Sequence, residues 1–154
     1  MDQEKIKIKI APFERRNEIK QLLFCNQDEI GNYSRVEVEG IETRVYVGQC
    51  LYALNEEDKV IGCISYELSK LCVDIFDLCV DEEYRRRGIA TRLIKCAIRD
   101  ARQFCKHNLI PRIKALNTNK VANEFYSKIG VKIGEDKNEG STCYQIMQIG
   151  SVKY

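Results

Sequence analysis

The run Arg85-Arg86-Arg87-Gly88-Ile89-Ala90-Thr91 carries the clearest chemistry in this chain. A charged stretch precedes it and a long amphipathic pattern follows, which places a strand end, a glycine turn and a helix start in succession. The first turn of a helix leaves about four backbone N–H groups without an intrahelical acceptor and carries roughly half a positive charge. Such an end binds anions with main-chain donors alone. Gly88 tolerates positive φ and lets a ligand come close to the backbone, and Ala90 keeps the next approach point small. The amides from Arg86 to Thr91 then fan toward one point. A bond from an amide to a charged acceptor is worth about 1.5–3 kcal/mol, so a few of them suffice to hold a pyrophosphate. The string is not a Walker loop, because no Gly-Lys-Ser/Thr follows, and it lacks the three glycines of a dinucleotide fingerprint.

A second set of reactive groups lies just upstream. Glu67, Asp74 and Asp77 are carboxylates in or beside strand-like runs, where each could serve as a general base or simply face solvent. Asp77 ranks first, because it directly precedes Leu78-Cys79-Val80 next to the anion turn. Strict alternation puts Asp77 and Cys79 on one face of the strand and Phe76 and Leu78 on the other, unless a bulge intervenes. Cys79 is a poor nucleophile candidate: no histidine is placed in sequence to activate it, and a strand-interior thiol has no cause for a lowered pKa. His107, the only histidine, reads as a surface residue after a helix end. The eight cysteines stand singly, with no Cys-x-x-Cys, so no metal site is expected. They read as small buried hydrophobes of a reducing compartment.

The elements that must position these groups follow from periodicity. Residues 4–10 alternate with period two and predict a strand. A helix is expected from Phe13, with Ile19, Leu22, Leu23 and Ile30 on its apolar side. Residues 31–48 are ambiguous: alternation around Gly40 suits a hairpin or a loop flanking a pocket. Residues 51–68 predict a hairpin turning at Asn55–Lys59, and residues 71–80 a further strand. Beyond the glycine turn, Ile89, Leu93, Ile94, Ala97, Ile98, Ala101 and Phe104 form one apolar stripe. Pro111 excludes a helix before the short strand 113–116. Residues 121–130 are helical again and stop at Gly130. Two strands around a polar turn at Glu135–Gly140 close the chain. The expected class is α/β (α+β): residues 1–154 as a single domain with a central mixed, mostly antiparallel sheet flanked by helices.

With these elements in place, DLCVDEEYRRRGIATRLI (77–94) resembles the acetyl-coenzyme A-binding segment of the GNAT N-acetyltransferases, whose signature is [RQ]-x-x-G-x-[GA]. Arg85, Gly88 and Ala90 fill its specified positions. NKVANEFYSKIGV (119–131) is similar to a second family pattern, matched by Asn119, Ala122, Tyr126, Lys128 and Gly130. The resemblance implies transfer of an acetyl group from acetyl-CoA, used as co-substrate, to a primary amine of a small molecule or peptide, by direct attack in a ternary complex. It implies that Leu78, Cys79 and Val80 face the coenzyme's pantetheine arm and that Arg85, Arg86, Arg87, Gly88, Ile89, Ala90 and Thr91 form the phosphate turn. It implies Asn119 as a contact to the arm, though a helix N-cap is an equal reading. It also implies Tyr126 as the general acid for the leaving thiolate, the other reading being a core aromatic. A lysine-like amine, with pKa about 10.4, costs about 4.6 kcal/mol to deprotonate at pH 7, against about 1.4 for an α-amine. A base such as Asp77 therefore matters more for the former.

Composition bounds the alternatives. A net charge of +2 gives no ground for nucleic acid or an anionic membrane as partner. The alternating N-terminus has no apolar core of a signal peptide and no run approaches a membrane span, so a cytoplasmic enzyme is expected. A non-catalytic acyl-CoA-binding regulatory module is the second reading. Glu37, Glu39 and Glu42 hint at a cationic acceptor. Neither the acceptor's identity nor a homodimer is decided by the sequence.

Overall fold

The structure, a computed structural model, describes residues 4–26, 35–69, 72–104, 110–116, 131–139 and 142–148. Its strands are β1 (Lys7–Ile10), β2 (Cys50–Leu54), β3 (Val60–Ser69), β4 (Cys72–Val80), β5 (Ile110–Leu116), β6 (Val131–Glu139) and β7 (Thr142–Gln148). They form one seven-stranded sheet in the order β1-β2-β3-β4-β5-β7-β6. All neighbours pair antiparallel except β4 and β5, which run parallel. The helices are α1 (Arg16–Cys25), entered through a 3-10 turn at Phe13–Arg15, then α2 (Arg35–Tyr46) and α3 (Ile89–Arg102). The mixed, mostly antiparallel sheet flanked by helices is the expected class.

Alternation along the strands divides the core in two. Leu51 and Ala53 of β2, with Ile61, Ile64, Tyr66, Val73 and Ile75, receive the stripe of α3. Cys50, Tyr52 and Leu54 point the other way, joining Val60, Cys63 and Cys79 beneath Ile19, Leu22 and Leu23 of α1 and Ile41 and Val45 of α2. Each fully buried Leu or Ile contributes about 1.5–3 kcal/mol, so the stripe is what fixes α3 on the sheet. Its residues Ile89, Leu93, Ile94, Ala97, Ile98 and Ala101 are all buried. Phe104 is not part of it: the helix ends at Arg102 and the ring is 64% exposed.

Three further expectations are corrected. Residues 35–46 form a helix, not a hairpin or loop. Ile41 and Val45, one helical turn apart, are both buried with Arg44 against the sheet, and this tertiary contact overrides the local alternation. In the last hairpin, β6 runs to Glu139, so the stretch assigned to a turn from Glu135 is strand. Its pairing shifts register between Lys132 and Asp136, and β6 is an edge strand, where polar residues are tolerated. In the first strand, regular pairing begins only at Lys7, and Ile10 is 52% exposed while Ile6 and Ile8 pack on the core.

Asn55 makes the β2–β3 turn. Its side-chain oxygen accepts from the amides of Glu57 (3.0 Å) and Lys59 (2.9 Å), and its amide nitrogen donates to the Tyr84 hydroxyl (3.0 Å). The hairpin tip is thereby tied to the segment that leads into α3. The expected helix at 121–130, its tyrosine and Ile30 lie outside the described residues.

Candidate active site

At the C-terminal end of β4 the chain makes a 3-10 turn, Glu82–Tyr84, capped by the Asp81 carboxylate. Arg86 then takes φ +62° and Gly88 φ +77°, and α3 starts with Gly88 as its N-cap. The first bond of the helical ladder runs from the Arg92 amide to the Gly88 carbonyl (3.1 Å). The amides of Ile89, Ala90 and Thr91 therefore precede the ladder and face outward at the positive end of the helix. A β-carbon on Gly88 would meet nothing within 4 Å, so the space in front of the turn is open. No acidic side chain stands in the first turn of α3. The turn has the shape and sign that an anionic diphosphate needs.

The arginines divide the work. Arg85 turns inward: its Nε donates to the Val80 carbonyl (3.0 Å) and its Nη2 to Asn26 Oδ1 (2.9 Å), bracing the strand end against α1. Arg87 lies over the Tyr84 ring at 4.8 Å and donates to the Glu83 carbonyl. Arg92 donates to the Ile6 carbonyl (3.0 Å). Arg86 is exposed at the turn. A cleft of about 520 Å³ opens beside this segment between α1 and β3, lined by Gln21, Leu22, Cys25, Asn26, Val60 and Asp81 among others.

The strand leading into the turn is not regular. Cys63 pairs with Cys79 and Ser65 with Phe76, so Ile64 alone faces both Asp77 and Leu78. This is a β-bulge, and Asp77 sits in it at φ +55°. Past it, Cys79 shares the α1–α2 face as alternation predicts, and Leu78 packs on the α3 side. Phe76 departs from the expectation: its ring lies 4.9 Å from the Arg44 guanidinium, on the same side as Asp77. Among the described residues, β4 pairs with β5 from Cys72 to Ile75. From Phe76 to Leu78 no described residue of β5 pairs with β4. Cys79 and Val80, which follow, are buried in the core.

Beneath α2 a polar cluster occupies the bulge. Arg44 Nη2 donates to Asp77 Oδ2 (2.7 Å), Nε to the same oxygen (3.2 Å) and to Ser65 Oγ (2.9 Å), and Nη1 to Glu67 Oε1 (3.0 Å). The Ser65 hydroxyl donates in turn to Asp77 Oδ2. Burial disfavours the guanidinium charge, yet Asp77 and Glu67 outweigh it and hold the Arg44 pKa above its ordinary value. The side chains of Arg44 and Asp77 are 10% and 7% exposed, whereas Glu67 is 52% exposed. Glu67 pairs across the strands with Asp74. The structure so joins Asp77 and Glu67 through one guanidinium, with Asp74 opposite Glu67 across the strands, and adds Arg44, which sequence reasoning missed. Its signal was available in Gly40: a β-carbon there would lie 3.1 Å from Arg44 Nη1. Glycine in a helix interior costs about 1 kcal/mol against alanine, and here it makes room for the guanidinium.

The thiols behave as buried hydrophobes. Cys50 and Cys63 are 1% and 0% exposed, and burial pushes the Cys50 pKa up to about 12 and that of Cys63 well above its ordinary value. Cys25 is exposed, and Cys25, Cys50, Cys63, Cys79 and Cys96 are free thiols. Among the described residues no group of three metal-ligating side chains comes together, and no helix is long and apolar enough to cross a membrane. Asn119 and Tyr126 lie outside the described residues.

The sequence matches the Acetyltransferase (GNAT) family over residues 16–131. The chain belongs to this family. Its fold is similar to that of a GNAT acetyltransferase from Staphylococcus aureus Mu50, with TM-score 0.75 and 18% identity over 94% of this chain and 98% of that one. It is similar to the PaiA N-acetyltransferase of Thermoplasma acidophilum, solved in complex with coenzyme A (TM-score 0.72, 20% identity, 94% and 99% covered). It is similar also to the diaminobutyrate acetyltransferase EctA of Paenibacillus lautus, solved with L-2,4-diaminobutyric acid and coenzyme A (TM-score 0.71, 12% identity, 96% of each). No curated protein matches the sequence. In this GNAT chain the Gly88 turn and the β4 bulge both lie within the matched span.

Proposed function

We propose that this single-domain GNAT chain transfers an acetyl group from acetyl-CoA to a primary amine by direct attack. The observation that carries the reading is the Gly88 turn: outward amides of Ile89, Ala90 and Thr91 stand just beyond the end of β4 and its bulge. Main-chain donors there would take the coenzyme pyrophosphate, with Arg86 and Arg87 contributing charge at the rim. The pantetheine arm would lie along Leu78–Val80, so that the thioester arrives near the bulge. Asn119 contacts the arm in this reading.

The acceptor must lose a proton before or during attack. Asp77, the first candidate from sequence, already accepts from Arg44 and Ser65, and to take a proton it would have to give up that pairing. Glu67 has the same neighbour but is half exposed, which suits a group that exchanges protons with an incoming amine or with water. Glu67 is therefore the better base. Tyr126 donates the proton to the departing thiolate. The relative solved with diaminobutyric acid supports an amine acceptor.

Calorimetry with acetyl-CoA and a free-thiol assay over a panel of amines test the proposal. Absence of binding at millimolar coenzyme would overturn it, and binding without acetylation of any amine would favour the regulatory module. Tyr126→Phe is expected to lower kcat about 100-fold and to leave coenzyme affinity within about twofold of wild type. Unchanged turnover, with chemistry rate-limiting, removes Tyr126 from this role.

A further inference from the structure

We infer that Arg44 and Asp77 are positioning residues for the thioester: their buried ion pair holds the β4 bulge in the turn that aims the Leu78–Val80 backbone at the coenzyme arm. This rests on the acetyl-CoA reading above and assigns a different task to Asp77 than proton transfer.

A residue other than glycine keeps a left-handed conformation inside a strand only where its surroundings impose it. At Asp77, with φ +55°, the surroundings are visible. Two guanidinium nitrogens and the Ser65 hydroxyl converge on one carboxylate oxygen. The Cys63 thiol donates to the Asp77 carbonyl (3.3 Å), so both ends of the residue are held. The clamp comes from outside the sheet, since Arg44 lies on α2, and the Phe76 ring flanks its guanidinium. Helix α2 gives up propensity to seat it: any side chain at Gly40 would press on the Arg44 nitrogens. The clamp also sits where it has most leverage. Among the described residues the last β4–β5 pair is Ile75 with Ile113, and the bulge follows two residues later. Whatever direction the bulge sets is inherited by the Leu78–Val80 segment that would hold the arm.

The clamp separates from a general-base role in three positions. Asparagine tolerates the left-handed region and still accepts from a guanidinium, so Asp77→Asn removes charge with little disturbance of shape. It is expected to raise KM for acetyl-CoA about fivefold and to lower kcat less than fivefold, with the midpoint of the kcat–pH profile where wild type has it. Gly40→Ala should raise the coenzyme Kd about fivefold without lowering the thermal midpoint, because the helix gains what the guanidinium loses. Arg44→Met should weaken coenzyme about tenfold or more, and Arg44→Lys should recover part of that loss. A kcat reduced 100-fold or more in Asp77→Asn, with the acidic limb of its pH profile gone, would make Asp77 the base and overturn the inference. Coenzyme affinity that stays at the wild-type value in Gly40→Ala and Asp77→Asn would overturn it also, and both remain measurable if Arg44→Met fails to fold. The acetyl-CoA reading itself fails separately, on wild-type protein that binds no coenzyme.

Discussion

Gly88 stands at φ +77° with open space where a β-carbon would go. Alanine there meets no protein atom, so its penalty has two separable parts. Backbone strain should lower stability by about 1 kcal/mol, read from urea unfolding. A methyl group in front of the amides should weaken coenzyme binding at least tenfold, read by calorimetry. Tyr66 makes the opposite case, a residue with a structural task alone. It is fully buried and its hydroxyl donates to the buried Asp100 carboxyl of α3. Tyr66→Phe leaves that oxygen without its donor and should cost about 1–3 kcal/mol with no change in coenzyme affinity. Burial, then Asp100, pushes the Tyr66 pKa above its ordinary value. The folded state therefore holds a proton that the unfolded chain releases above about pH 10. Stability from this pair is complete below that pH and falls as pH rises past it, a decline that Tyr66→Phe should lack.

Among elements, α2 is the one that tertiary contact made. Its Glu42 bonds to Lys20 of α1 and lies 3.6 Å from Arg16, so the two helices are joined by charge as well as by Ile41 and Val45. That engagement also removes Glu42 from the acids offered to a cationic acceptor. The Lys20 hydrogen bond holds the Glu42 carboxyl below its ordinary value. A depressed carboxylate stabilises the fold above its unfolded pKa, near 4.3, and stops doing so as pH falls through the folded value. Glu42→Gln should therefore lower the thermal midpoint at pH 7, and the difference should shrink as pH falls below that range. Added salt should shrink the difference at pH 7, because the pair is partly exposed.

At the scale of the whole molecule, a ligand held at the Gly88 turn would bridge the end of β4 and the start of α3. A ligand that binds only the folded state stabilises it by about 2.7 kcal/mol at a concentration of 100 Kd. For a chain of this length that is a rise of about 5–10 °C in thermal midpoint. Acetyl-CoA should produce it, and dephosphorylated pantetheine should not, since it leaves the Gly88 turn empty. A rise of equal size with both ligands would mean that the pyrophosphate is held elsewhere.

The Gly88 turn and its helix were legible in the sequence because their signals are local: Gly88, the small Ala90 just inside the helix start, and an apolar stripe of period 3.6. The hairpin turn at Asn55 and the apolar side of α1 were legible for the same reason. Helix α2 was not. Val36, Val38 and Gly40 mimic a strand and a break, and only the sheet beneath supplies the contacts that favour a helix for Ile41, Arg44 and Val45. The bulge was equally hidden, since an extra residue in β4 exists only relative to the register of β3. The local sequence determined where the chain turns through Gly88 and α3 begins. Pairing between distant segments decided which way the strand edge faces and put an arginine from 33 residues upstream onto Asp77, because register and burial are properties of contacts that no stretch of chain makes alone.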